Sequence, residues 1–161
     1  MFNHEPDNYE CPLCIVAKGG ETKLNKKSDI VFETEDVVAF VSPKWWKNNP
    51  GNVMVIPRQH VENVYAIEDT LLGQLYVVGK NVALGMKEKY GCDGVSFRQH
   101  NEPDGGQDVW HFHLHVFPRW KDDGLYLNHK NTRYTEAEER HPYAQSLRDW
   151  FGSRDNSRFD S

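Results

Sequence analysis

Three histidines alternate with apolar residues in the segment WHFHLHVFPRW, residues 110–120, and this alternation limits what the chain can form there. Because side chains alternate between the two faces of a β-strand, the spacing predicts a strand over residues 110–117. His111, His113 and His115 would share one face of that strand, and the other face would be apolar. Imidazole titrates near neutral pH, so a histidine-lined strand face indicates a chemical site.

The segments around this strand predict an α+β fold, with an antiparallel sheet of about five strands. Short runs of β-prone residues predict the other strands, at residues 30–33, 37–41, 53–56 and 94–101. Apolar residues at steps of three and four predict one long helix and a weaker C-terminal helix, at residues 69–90 and 135–151.

Two further segments are predicted to be loops. Residues 19–28 (GGETKLNKKS) are polar and basic, which is typical of a surface loop. Residues 42–52 (SPKWWKNNPGN) carry two adjacent tryptophans, Trp45 and Trp46. They could cover a nucleobase, but we expect them to pack in the core or in a dimer interface.

Length and charge limit the partners. A chain of 161 residues predicts one domain, here residues 1–151 with a core over residues 11–119 and a polar, disordered tail over residues 152–161. With 19 basic and 24 acidic residues and no basic run, a polynucleotide partner is not expected. The sequence also lacks a long apolar run and a basic, apolar leader at its start, so we expect a cytoplasmic protein that does not bind a membrane.

Two kinds of site are compatible with the histidine segment. Several imidazoles could hold a metal ion, or one histidine could be a nucleophile whose other ring nitrogen donates to a fixed acceptor. The preceding residues, Asp104 to Gln107, contain two glycines and an amide donor. This composition suits close approach of N–H groups to anionic oxygens, and it favours a nucleophile that acts on a phosphate.

The segment HNEPDGGQDVWHFHLHVFPR resembles the signature of the histidine-triad (HIT) superfamily. The resemblance extends over residues 11–119, through FETEDVVAF and VMVIPRQH, and is greatest to the Hint branch and the bacterial HIT hydrolases. It implies a HIT-like fold, a homodimer and a nucleotide hydrolase or transferase that cleaves at an α-phosphate.

The resemblance also implies catalytic roles. His113 would be the nucleophile that forms a nucleotidyl-histidine, and His115 would donate to a phosphate oxygen. Gln107 with its adjacent backbone would hold the phosphate oxygens, and Asn101 would support the active-site network.

A nucleotide pocket is implied at six positions, which are Leu13, Val16, Phe40, Ser42, Gly106 and Asp108. The three apolar members are equally compatible with ordinary core packing. Ser42 stands where many relatives carry an aspartate for the ribose, and Asp108 stands where Hint proteins carry a hydroxyl donor. An ionised Asp108 can only accept hydrogen bonds, so we hypothesise that it favours a cationic or protonatable leaving group.

Cys11 and Cys14 form a C-x-x-C pair, which indicates a metal site more than a disulfide in a cytosolic protein. Zinc-bearing members of the superfamily complete such a pair with two histidines, and the resemblance assigns those to His60 and His111. Zinc would then be structural, and His113 and His115 would remain for the chemistry.

The sequence thus predicts hydrolysis of nucleoside monophosphate conjugates, of the phosphoramidate type, through His113. One alternative is a dinucleoside polyphosphate hydrolase, such as one that cleaves diadenosine polyphosphates. The other is a nucleotide-binding scaffold whose turnover is incidental.

Overall fold

The computed structural model describes residues 2–128 and 130–154. The helices in these residues are α1 (Pro12–Ala17), α2 (Asp69–Lys89) and α3 (Ala137–Gly152), with a short 3-10 turn at Lys27–Asp29. The strands are β1 (Ile30–Glu33), β2 (Val37–Val41), β3 (Lys44–Trp46), β4 (Val53–Pro57), β5 (Gly94–Gln99), β6 (Leu114–Arg119) and β7 (Thr132–Tyr134).

The main sheet has five strands in the order β1-β2-β4-β6-β5, and every neighbouring pair is antiparallel. This confirms the predicted α+β class and the antiparallel five-stranded sheet. β3 and β7 pair separately as a two-stranded sheet, so the segment with the two tryptophans forms a short strand where the sequence predicts only a loop.

Both faces of the sheet are covered at its centre, which explains why β2 is a continuous apolar run, VVAFV. Val37, Ala39 and Val41 belong to the large core with α2 and α3. Their neighbours Val38 and Phe40 point the other way and belong to a smaller cluster with α1. Helix α1 was not predicted from the sequence.

α3 is tied to the front of the chain by a buried ion pair between Arg140 and Asp29, whose Nε and Oδ1 atoms lie 2.8 Å apart. Arg140 also donates to the backbone carbonyl oxygens of Leu24 and Thr135. These contacts fix the loop that precedes the 3-10 turn, and that loop forms a wall of the cavity described below.

The C-terminal tail predicted for residues 152–161 lies outside the described residues from residue 155 onward. Its first residues are ordered, because Gly152 is the last residue of α3 and Arg154 forms an ion pair with Glu88. No helix in the described part of the chain is long and apolar enough to cross a membrane.

Candidate active site and metal cluster

The chain turns immediately before β6, and this turn separates the three histidines. Strand β6 begins at Leu114, so the prediction of a strand from residue 110 is wrong for the residues that carry His111 and His113. The N–H of His111 donates to Val109 O, and the N–H of Phe112 donates to Val61 O at 2.6 Å. These bonds replace a strand ladder, and the three imidazoles therefore do not share one strand face.

His113 is held by the backbone beside it. Its Nδ1 lies 2.7 Å from the carbonyl oxygen of His111. A carbonyl only accepts hydrogen bonds, so Nδ1 carries the proton and Nε2 of the neutral ring carries a lone pair. Burial lowers the pKa of His113, which favours this neutral form. The ring has the arrangement that a nucleophilic imidazole needs.

His115 lies on β6, and its ring centroid is 5.1 Å from that of His113. It stacks on Phe117 and meets the edge of Trp46. Its Nδ1 is buried and has no hydrogen-bond partner among the described residues. Burial, followed by the neighbouring His113, lowers the pKa of His115 well below its usual value.

The loop between β5 and the histidines is compact, and two glycines are required in it. A Cβ on Gly105 would lie 1.9 Å from Asn101 O, and Gly106 has a φ of 86° with the ring of His100 beside it. Nδ1 of His100 donates to Gly106 O at 3.0 Å. The loop therefore folds back against the end of β5.

Gln107 and Asn101 brace this loop. The Gln107 amide donates to Glu62 O and Val109 O, and its Oε1 accepts from the N–H of Glu102. The backbone N–H groups of Gly106 and Gln107 donate to carbonyl oxygens of the same loop. These donors are engaged, so the role expected for them at phosphate oxygens stays a prediction. Asn101 Oδ1 accepts from the N–H of Val64, which joins the network to the segment that precedes α2.

An apolar cavity of about 160 Å³, open to solvent on one side, lies in front of His113 and His115. Its lining includes Leu13 of α1 and Met54 of β4, and Leu24, Asn25 and Tyr134 come from the flanking loops and β7. Of the residues expected to bind the nucleotide, Leu13, Ser42 and Asp108 lie in this lining. Val16 and Phe40 do not, because both are buried behind it in the α1 cluster.

A second, more polar cavity of about 200 Å³ adjoins the first. The two share Lys44, Trp46, Asp108, His113 and His115, and the second alone is lined by Arg98, His100 and Gly106. The candidate nucleophile, His113, therefore lies where the apolar cavity and the more basic second cavity meet. Sequence reasoning did not identify Arg98 or Lys44 as site residues. The one signal for Arg98 was the alternation of β5, which places Arg98 on the same strand face as Ser96 and His100.

The two polar residues predicted for the ribose and leaving group have protein partners. Asp108 lies 3.6 Å from Nζ of Lys44, so a cation balances its charge. Ser42 is buried, and its Oγ donates to Lys44 O at 3.3 Å. Ser42 therefore holds the start of β3, and ribose binding by its hydroxyl stays a prediction.

A cluster of two thiols and two imidazoles lies behind the turn. The ligand atoms of Cys11, Cys14, His60 and His111 all lie within 4.8 Å of one another. Nδ1 of His60 is 3.1 Å from Cys14 Sγ, and Nδ1 of His111 is 3.4 Å from Cys11 Sγ and 3.5 Å from Cys14 Sγ. The structure thus brings together the four predicted metal ligands.

The geometry fits zinc. Sulfur and nitrogen ligands of one tetrahedral Zn²⁺ lie about 3.5 Å apart, near the observed separations. His111 Nε2 donates to Pro57 O at 3.0 Å, and His60 Nε2 lies 2.9 Å from a carboxylate oxygen of Glu5. Both rings therefore turn a bare Nδ1 toward the sulfurs. Burial lowers the pKa of His111 to about 4, which keeps this ring neutral.

The sheet, the histidine turn at β6 and the cavities in front of it define an α+β protein of the histidine-triad class. The sequence profile of the HIT domain matches residues 23–122. The chain belongs to the HIT family, as the sequence resemblance predicts, and this places it among nucleotide-binding and nucleotide-hydrolysing proteins.

Relatives span several organisms. The protein named Protein hit from Bacillus subtilis is 34% identical over 116 residues, which cover 71% of this chain and 75% of that protein. A bis(5'-adenosyl)-triphosphatase from Dictyostelium discoideum is 31% identical over 120 residues, 74% of this chain and 77% of that one. A zinc-bound histidine triad protein from Mycobacterium smegmatis, 21% identical, has the same fold with a TM-score of 0.73, covering 89% and 94% of the two chains.

Proposed function

We propose that this protein is a nucleotide hydrolase or transferase that cleaves nucleoside monophosphate conjugates at the α-phosphate through a covalent nucleotidyl-His113. The main support for this proposal is the hydrogen bond from His113 Nδ1 to His111 O. This bond leaves Nε2 of His113 unprotonated at the junction of the two cavities. A histidine with this tautomer can attack phosphorus without first losing a proton.

The reaction would proceed in two displacements. Nε2 of His113 attacks the α-phosphorus, a P–N bond forms, and the bond to the leaving group breaks with its electron pair on that group; an amine leaving group also takes up a proton from solvent and departs as the neutral amine. Water then attacks the same phosphorus, loses its proton to solvent, and breaks the P–N bond, which releases the nucleoside monophosphate and restores the neutral imidazole. His115 would donate to a phosphate oxygen as negative charge builds, and the loop of Gly106, Gln107 and Asn101 would hold the phosphate region.

The nucleoside would lie in the apolar cavity. Leu13 and Met54 offer apolar surface to a base, and Trp46 offers an aromatic face. Val16 and Phe40 would support this surface from behind. Ser42 and Asp108 line the same cavity and would lie beside the sugar and phosphate. The expected substrate is a purine nucleoside phosphate conjugate.

Steady-state turnover tests this proposal. Wild type and His113→Ala would be incubated with adenosine phosphoramidate, and release of adenosine monophosphate would be measured. We expect the variant to lose at least about 1,000-fold in rate, as removal of a covalent nucleophile does in other hydrolases. Nucleotide binding without a His113-dependent rate would instead support the scaffold alternative.

A second candidate function is the hydrolysis of dinucleoside polyphosphates. The basic residues of the second cavity favour it, and so does the relative from Dictyostelium discoideum, which is named for that activity. The relative rates on diadenosine triphosphate and adenosine phosphoramidate distinguish the two functions.

We further propose that the four-residue cluster binds one structural Zn²⁺. Its donor set and spacing support this, and a zinc-bound relative shares the fold. When bound, zinc would join the N-terminal segment to the turn that carries His113. Metal content of the purified protein, with unfolding temperature before and after chelation, tests the proposal.

The remaining expectations concern the oligomeric state, the cellular location and the absence of a polynucleotide partner. β5 is an edge strand, and Phe97 on it is partly exposed and stacks on Tyr76 of α2. This apolar edge supports a homodimer, which light scattering would detect. A cytoplasmic location and the absence of a polynucleotide partner remain part of the proposal.

A further inference from the structure

One row of side chains crosses the sheet beneath the two cavities. Phe40 of β2 pairs with Met54 of β4, Met54 pairs with His115 of β6, and His115 pairs with Arg98 of β5. The row is apolar at one end and cationic at the other, with a triad histidine between. The two sides of the reaction centre therefore differ in charge.

Arg98 has no polar partner in the described part of the chain. Its guanidinium carbon lies 5.5 Å from the ring centroid of Trp46, 5.3 Å from that of Phe117 and 5.8 Å from that of Tyr126. Its guanidinium makes no hydrogen bond or ion pair with a described residue, and its Nη1 is buried without a partner. Three aromatic rings fix the position of a charge that none of the described residues neutralises.

An unpaired, half-buried guanidinium is costly unless a ligand supplies the missing acceptors. The nearby Lys44 differs, because Asp108 already balances its charge. Burial lowers the pKa of Arg98, as expected for a cation that loses water without gaining an anion. The basic cavity thus carries one excess positive charge beside His113 and His115.

We propose that Arg98 binds the leaving group of the substrate, and that this leaving group is a phosphate or polyphosphate. The inference rests on the proposed function, since it assigns the second cavity of the same site. A planar guanidinium matches phosphate oxygens with two parallel donors. His100, on the same wall, adds a ring next to the anion.

The chemistry explains why a cation is useful there. When His113 attacks the α-phosphorus, the bridging P–O bond breaks and its electron pair stays on the departing phosphate oxygen. Arg98 compensates that developing charge, and no proton has to be delivered. An amine leaving group, by contrast, must take up a proton and gains nothing from a neighbouring cation. Because Lys44 neutralises Asp108, the structure favours an anionic leaving group over the cationic one that Asp108 suggests from sequence.

The test compares two substrates that share adenosine monophosphate and differ in leaving group. Values of kcat/KM for diadenosine triphosphate and adenosine phosphoramidate would be measured for wild type, Arg98→Met, Arg98→Lys and Arg133→Met. Arg133 is the matched control, because it is exposed and lines neither cavity. Thermal unfolding of each variant checks that it is folded.

We expect Arg98→Met to lower the ratio of the triphosphate value to the phosphoramidate value by about 10- to 100-fold, the usual loss for a charged hydrogen bond. Arg98→Lys, which keeps the charge, should give an intermediate ratio, and Arg133→Met should match wild type. If Arg98→Met cannot be obtained folded, Arg98→Lys decides the question alone. An intermediate ratio supports the assignment of Arg98, and a wild-type ratio contradicts it.

A ratio unchanged in both Arg98 variants would overturn the leaving-group assignment while leaving the proposed function intact. So would wild-type turnover of the phosphoramidate with none of the triphosphate. Failure of the proposed function looks different, because His113→Ala would then retain the wild-type rate on both substrates.

Discussion

His113 and His111 are joined by a hydrogen bond of 2.7 Å from the ring Nδ1 of His113 to the backbone oxygen of His111. The ring of His111 itself faces Cys11 and Cys14. The carbonyl group that orients His113 therefore belongs to His111, which is also a member of the candidate metal cluster. Disturbing the cluster should move the nucleophile without touching the substrate.

Replacing Cys14 with serine should remove zinc and weaken catalysis. We expect zinc content to fall from one ion per chain toward zero, the unfolding temperature to drop, and kcat to fall by about 10- to 100-fold. Metal analysis, thermal unfolding and turnover of adenosine phosphoramidate measure these effects.

Cys92→Ser is the control for that variant, because Cys92 is a buried thiol outside the cluster. It should keep full zinc content. Loss of zinc from Cys92→Ser, or retention of zinc by Cys14→Ser, would contradict the assigned ligand set.

Glu5→Gln should weaken zinc binding without removing a ligand. Glu5 accepts the hydrogen bond from His60 Nε2, which fixes the ring with Nδ1 toward Cys14. Loss of the carboxylate should raise the zinc dissociation constant about 10-fold, measured by competition with a chelator. Glu10→Gln, at an exposed position nearby, should leave that constant unchanged; equal constants for the two variants would count against this role of Glu5.

The four residues of the candidate metal cluster were predictable from sequence. The C-x-x-C pair of Cys11 and Cys14 is a local pattern, and the family resemblance assigned His60 and His111, which the structure brings together with it. The sheet was predictable for a similar reason, since alternation and apolar runs gave β1 and β2 their bounds.

The cavities were not predictable, because their walls depend on which strands become neighbours. Arg98 meets His115 only through the register of β5 against β6, and no local pattern encodes that register. The start of β6 was missed because the backbone before it donates to a distant residue, as Phe112 N–H does to Val61 O, in place of a strand ladder. Val16 and Phe40 look like pocket residues in sequence, but burial places them behind the wall.

Asp123 should make stability depend on acid pH. It accepts two hydrogen bonds from Arg119, at 2.7 and 2.8 Å, and others from the N–H groups of Trp120 and Leu125. The Arg119 guanidinium holds the pKa of this buried carboxyl well below its usual range. A depressed pKa stabilises the fold above the unfolded-state pKa of about 3.9, and the contribution is lost as pH falls below that value.

Asp123→Asn should therefore lower the free energy of unfolding at neutral pH by about 1–3 kcal/mol. The difference between variant and wild type should shrink at about pH 3, where the native carboxylate begins to lose its advantage. Denaturant unfolding at the two pH values measures both quantities. Asp7→Asn, at an exposed aspartate, is the control, and a difference for Asp123→Asn that grows as pH falls would reverse the expected sign.

The covalent intermediate on His113 tests the central proposal most directly. Wild-type protein would be mixed briefly with adenosine phosphoramidate, or with diadenosine triphosphate, quenched, and examined by intact-mass and peptide mass spectrometry. We predict a gain of one adenosine monophosphate per chain, located on His113 and absent from His113→Ala. An adduct on His111, His115 or His100, or turnover by His113→Ala at the wild-type rate, would contradict the assignment of His113 as the nucleophile.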